Sequence, residues 1–174
     1  MCLNRLFYFL PLLLVLPVYS FGQTVPVAPN MLLDIGGLGS DVISTDMKFD
    51  AQGNIYVADL QNYAIRKITT AGVVTTVVGG LKLSALISNP GALTFDTKGN
   101  LFISDQNGRI LELTANKVLL TVAGKTATAG FADGQGASAL FNAPQGLVAD
   151  ANGNIWIADS NNNRIRKLVP PSGI

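Results

Sequence analysis

Residues 149–168 read ADANGNIWIADSNNNRIRKL. The pattern stands twice more, as FDAQGNIYVADLQNYAIRKI at 49–68 and FDTKGNLFISDQNGRILEL at 95–113. Its Gly-Asn pairs fall at 53–54, 99–100 and 153–154, so the unit recurs after 46 and then 54 residues. An internal repeat of this length is the first thing a fold must explain. Each unit opens with Asp-x-x-Gly-Asn: Asp50, Gly53 and Asn54, then Asp96, Gly99 and Asn100, then Asp150, Gly153 and Asn154. That is hairpin-turn chemistry, because aspartate bonds nearby backbone amides and glycine takes positive φ freely.

The strands after these turns are Ile55–Ala58, Leu101–Ser104 and Ile155–Ala158. They are apolar on both faces, so each sheet needs cover on both sides. Two units are preceded by Pro90 and Pro144, where the first places Ser44, and β-branched runs ending in glycine follow at 73–79 and 118–124. Short strands, a period near 46 and two-sided burial predict an all-β chain of four-stranded antiparallel blades, a β-propeller with about three blades present.

At these residues the chain resembles the NHL repeat family, in the form found in secreted bacterial proteins. The third unit carries the pattern most fully, with Pro144, Gly146, Asp150, Gly153, Asn154, Trp156, Ala158, Asp159, Asn162, Arg164 and Ile165. The second keeps Gly99, Asn100, Asp105, Arg109 and Ile110, with a connection one residue shorter. The first keeps Asp59, Asn62 and Ile65 and has Ala64 where arginine is expected. The segment Gly130–Gly136, followed by Ala139, Leu140 and Phe141, is similar to the long inter-blade loop of the secreted members. The family also includes an amidating lyase whose zinc chemistry needs histidine, and this chain has none.

Asp59, Asp105 and Asp159 recur at one phase of the repeat. A ring of carboxylates holding calcium, as in propeller lactonases, is one reading. A structural aspartate bonding turn amides and the following arginine, Arg109 or Arg164, is the preferred one, since residues repeated in every unit serve the unit. Asp150–Asn154 lacks the closing glutamate of a calcium loop, and Asp133 between glycines reads as turn chemistry. Asn161–Arg164 could bond sugars or a partner's backbone, and the preferred reading is an exposed loop. Arg66, Lys67, Arg164, Arg166 and Lys167 invite comparison with RNA-binding propellers, which the charge balance opposes.

The N-terminus is MCLNRLFYFLPLLLVLPVYSFG, with Arg5 before an apolar run and the small residues Ser20 and Gly22 before Gln23. This pattern predicts a cleaved export signal over 1–22, since the run is short for a membrane span and holds Pro11 and Pro17. Cleavage removes Arg5 and Cys2, which takes 12 basic residues to 11 against 11 acidic ones and leaves no thiol. The expected location is secreted or periplasmic, with no membrane contact after cleavage and no attraction to nucleic acid. The absence of histidine excludes a Ser-His-Asp triad and histidine-ligated zinc. The acids are ten aspartates and Glu112, the latter at a third-strand position that should not line the channel.

These signals divide the chain into the export signal at 1–22, an N-terminal segment at 23–43 and repeats over 44–174. The middle segment holds a closing strand near 31–37, and the repeats run at about 44–79, 90–124 and 144–174. Three blades do not close a ring, so the chain is expected to be the N-terminal part of a longer propeller, or to assemble with other chains. The open faces of the outer blades would carry Ile55, Val57, Trp156 and Ile157 or their alternating partners, and they invite self-association. The preferred function is a non-catalytic binding or scaffold module for a protein or glycan partner, with no cofactor. The alternative is a calcium-dependent propeller hydrolase or lactonase with ligands in further blades. A nonrepeating acid facing the axis would distinguish the two.

Overall fold

In the computed structural model, which describes residues 44–80 and 86–170, each repeated turn is built by its own aspartate. Asp50 accepts the Gln52 amide at 3.0 Å and the Asn54 amide at 2.8 Å, and its second oxygen takes the Asn54 side chain at 2.8 Å. Asp96 repeats the pattern on Lys98 and Asn100, and Asp150 on Asn152 and Asn154. Gly53, Gly99 and Gly153 adopt φ of 80°, 83° and 80°, the left-handed region that side chains resist. The export signal expected over 1–22 and the strand expected near 31–37 lie outside the described residues.

Blade 1 comprises β1 (Ser44–Phe49), β2 (Ile55–Asp59), β3 (Ala64–Ile68) and β4 (Val74–Gly79). Blade 2 comprises β5 (Pro90–Phe95), β6 (Leu101–Asp105), β7 (Arg109–Leu113) and β8 (Leu119–Gly124). Blade 3 comprises β9 (Pro144–Ala149), β10 (Ile155–Asp159) and β11 (Arg164–Leu168). Each sheet is an antiparallel meander in chain order, with four, four and three described strands. The described residues are all-β apart from one 3-10 turn, and their blades form an unclosed propeller.

The first strands β1, β5 and β9 lie side by side along the axis. Side chains stitch them together. The Thr45 hydroxyl lies 2.8 Å from the Pro90 carbonyl, Asp46 accepts the Leu93 amide at 2.8 Å, and Thr94 accepts the Ala149 amide at 3.2 Å.

Blade 2 is covered on both faces, and every residue of β6 and β7 is buried. Leu93, Leu101, Ile103 and Leu111 pack against Tyr56, Ala58, Ile65 and Val78 of blade 1. Phe102, Ile110 and Ala123 pack against Ile155 and Ile157 of blade 3. Alternation along each strand thus feeds two separate cores, each buried aliphatic side chain contributing about 1.5–3 kcal/mol.

The outer faces differ. Ile157 is buried against blade 2, whereas Trp156, Val148 and Ile165 face away and are 38%, 59% and 69% exposed. On blade 1 Val57 is buried, and Met47 and Phe49 are the exposed pair at 55% and 67%. The expectation that apolar strands are covered twice therefore holds for blade 2 and fails, among the described residues, for the outward side of blade 3. Of the residues expected on the open faces, Trp156 is exposed there, Val57 shares the outward face with its ladder partner Met47 but is buried, and Ile157 faces blade 2.

Candidate functional site at the axial mouth

The three repeated aspartates are fully buried, and their oxygens are in use. Asp59 accepts the Asn62 amide at 3.2 Å, its side chain at 3.0 Å and Arg66 Nε at 3.0 Å. Asp105 accepts the Ser88 and Asn107 amides and pairs with Arg109. Asp159 accepts the Asn142 amide at 2.8 Å, the Asn162 side chain at 2.8 Å and Arg166 at 3.3 Å. A buried carboxylate so paired fastens strand ends and inter-blade loops.

The arginine of the third unit is a correction. Arg164 stands directly opposite Asp159 in the ladder, yet its guanidinium lies 4.2 Å from the Phe131 ring centroid, among exposed residues. Arg166, two residues on, takes the carboxylate because the long loop holds it there. It donates to the Leu140 carbonyl, to the Ala132 carbonyl at 2.6 Å and to Asp133 at 2.7 Å, and lies 4.4 Å from the Phe141 centroid. Asp133 is thereby a second carboxylate for Arg166 rather than a turn residue alone. The unit with Ala64 uses Arg66 at the same ladder position, while blade 2 has Leu111 there and relies on Arg109. Asn162 is no bystander of an exposed loop either: it donates to the Gly130 carbonyl at 2.8 Å from the short 3-10 turn Ser160–Asn162.

The residues left for a ligand lie at the start of the first strands. The ladder pairs Ser44 with Asp59 and Asp46 with Ala58, skipping Thr45. It pairs Pro144 with Asp159 and Gly146 with Ala158, skipping Gln145. In β5 the register shifts between Pro90 and Leu93, around Gly91. Such bulges re-aim side chains, and they recur beside functional sites. Thr45, Asp46, Gly91, Ala92, Gln106 and Gln145 line a cavity of about 410 Å³. Gly91 is needed for its shape, because a Cβ there would stand 2.7 Å from Ser104 Oγ and 3.1 Å from Gln106 Nε2.

The chemistry of this mouth is neutral. The side-chain amides of Gln106 and Gln145 have no hydrogen-bond partner among the described residues. Asp46 is the one carboxylate, and blades 2 and 3 carry Ala92 and Gly146 at its position. It accepts the Leu93 and Met47 amides, and Lys48 Nζ approaches both its oxygens at 2.9 and 3.1 Å. Calcium takes six to eight oxygens with several carboxylates. One carboxylate already matched by a lysine does not fit that ion unaided. Among the described residues no three His, Cys, Asp or Glu side chains gather into a metal-binding group.

Glu112 stands on β7 opposite Phe102 and Leu120, away from the mouth. Burial, with Asp96 nearby, pushes its carboxyl above the usual range, against an opposing pull from Lys98. A larger cavity of about 670 Å³ runs along β11 between Phe131, Phe141 and Arg166. It lies beside the edge of β11, which has no described partner strand where β3 and β7 pair with β4 and β8.

Residues 141–168, spanning the end of the long loop and all of blade 3, match the NHL repeat family model. Blade 3 is an NHL repeat. Mouse NHL repeat-containing protein 3 is 28% identical over 121 residues, covering 64% of this chain and 33% of the relative. A Bacteroides thetaiotaomicron protein of unknown function superposes with a TM-score of 0.60 at 29% identity, over 66% of this chain and 32% of that one. An auxiliary nutrient binding protein of the same bacterium gives 0.58 at 23% identity, over 70% and 36%, a likeness of fold alone. The chain therefore spans about a third of the length of each of these three proteins. One propeller fold hosts unrelated activities, so function has to be argued from the mouth.

Proposed function

We propose that this NHL-repeat chain is an exported, non-catalytic module that binds a protein or glycan partner at its axial mouth. The observation that carries this reading is the pair of unpartnered amides, Gln106 and Gln145, beside a carboxylate already neutralised by Lys48. Amides donate and accept hydrogen bonds but do not transfer protons near neutral pH, which favours recognition over catalysis. The repeated aspartates, committed to arginine and turn amides, are supports for the blades.

A second reading, a calcium-dependent hydrolase or lactonase, draws on Asp46, the nonrepeating acid on a first strand. It requires the remaining ligands from outside the described residues. The test is a panel of lactones and esters assayed with and without calcium, beside peptide and glycan arrays probed with the same protein. Array binding without turnover is the expected result. Calcium-dependent turnover abolished by Asp46→Asn would overturn the binding-module reading, as would silence on both arrays.

A further inference from the structure

Resting on the reading of the axial mouth as a binding site, we propose that its ligand is a neutral glycan. The lining decides between the partner classes. Ala92 is its one apolar side chain, so the mouth offers no pocket for a hydrophobic side chain or an acyl chain. Asp46 and Lys48 cancel one another at 2.9 Å, so no uncompensated charge calls for a phosphate, a polyanion or a basic peptide. An extended peptide gains affinity by adding to a continuous strand edge. Here the first strands are interrupted at Thr45, Gly91 and Gln145, and the bulges break that edge.

What remains suits vicinal hydroxyls. Each glutamine amide presents a carbonyl acceptor beside two N–H donors, and a sugar diol presents a donor and an acceptor at matching spacing. Gln106 follows β6 and Gln145 belongs to β9, so the two amides reach the mouth from different blades. A cavity of about 410 Å³ lies in the usual range for small-ligand sites. The Gln106 amide is held against β5 because Gly91 leaves room for it. The glycan would therefore bridge blades 2 and 3, with Thr45 of blade 1 at its edge.

The experiment is calorimetric titration of the purified chain with cellohexaose, maltohexaose, laminarihexaose, xylohexaose and mannohexaose. Polygalacturonate and an unstructured neutral peptide serve as the charged and protein-like probes. Saturable binding of at least one neutral oligosaccharide is expected, insensitive to added salt and about tenfold weaker in Gln106→Ala and in Gln145→Ala. Gly91→Ala, whose Cβ presses on Ser104 Oγ and on the Gln106 amide, should weaken it too. Urea midpoints equal to the parent's show that each variant is folded. Binding of none of the five, or sugar binding indifferent to both glutamines, overturns the inference. Glutamine-dependent binding of the peptide overturns it while sparing the binding-module reading. Turnover of a sugar or lactone defeats both.

Discussion

Asp159 receives Arg166 at 3.3 Å, although Arg164 is the residue paired across from it in the ladder. The diagonal neighbour prevails because the loop at 130–141 surrounds Arg166 with carbonyls and a second carboxylate. Removing Arg166 leaves a buried carboxylate uncompensated. Arg166→Ala should cost about 3–5 kcal/mol of stability, and Arg164→Ala, at an exposed position, less than about 1 kcal/mol. Urea denaturation of the two variants measures the difference; equal losses would contradict the assignment.

The turn of the third unit carries its own pH signature. The Asn154 side chain, ahead of opposing burial, and then the Trp156 indole at 3.0 Å and two backbone amides, lower Asp150 from 3.8 to about 2. A lowered folded pKa stabilises the protein fully above about 3.8 and loses that contribution as pH falls towards 2. Asp50 is shifted the same way, burial opposing but the Asn54 side chain and turn amides prevailing. Carbon NMR of the carboxyls across this window should find Asp150 titrating near the bottom of it. A midpoint at 3.8 or above would mean the turn does not hold its aspartate as described.

Two glycines with similar φ should respond unequally to a methyl group. Gly124 has φ of 88°, and a Cβ there would stand 2.1 Å from the Gly108 carbonyl. Gly99 has φ of 83° with nothing within 4 Å. Gly99→Ala should therefore cost only the left-handed penalty, about 1–2 kcal/mol. Gly124→Ala must also move backbone, and its loss should be plainly larger in the same denaturation assay. Matching losses would show that β8 has slack to absorb the contact.

The legible parts of this chain are its local ones. Asp50 bonds residues two and four positions on, so the turn is written within five letters and appears three times. The unbroken apolar run Leu101–Ile103 similarly announces burial on two faces. The partner of Asp159 was less legible, because Arg164 and Arg166 share a strand face and only the fold of a loop some 30 residues earlier selects between them. The mouth was illegible. Thr45, Gln106 and Gln145 do not repeat, and skipped residues in the ladder leave no compositional trace. Asp46 had a usable signal: it is the acid at a first-strand position where the other units have Ala92 and Gly146.

Calcium separates the supporting aspartates from the second functional reading. Asp59 is fully buried and bonded to Asn62 and Arg66, which leaves no open face for an ion. Calorimetric titration should show no stoichiometric calcium binding, and Asp59→Ala should lower stability without altering any weak heat. Stoichiometric binding lost in Asp59→Ala would return the carboxylate ring to consideration.

The outward faces make the last case. Trp156 is 38% exposed, Val148 59% and Ile165 69%, side by side on one face of blade 3. Met47 and Phe49 on blade 1 are 55% and 67% exposed. Contiguous apolar surface of this kind is seldom left in water on a monomer. The edge of β11 also lacks a described partner strand, and an unpaired edge is itself a template for association. Lys167 lies over Trp156 at 5.5 Å, a partial shield that leaves Val148 and Ile165 open. Two copies meeting blade 3 to blade 1 would close six blades under two-fold symmetry, the commonest arrangement of protein dimers. Light scattering of the purified chain should find concentration-dependent association, reduced by Val148→Lys combined with Ile165→Lys. A well-folded monomer at every concentration would refute association through these faces.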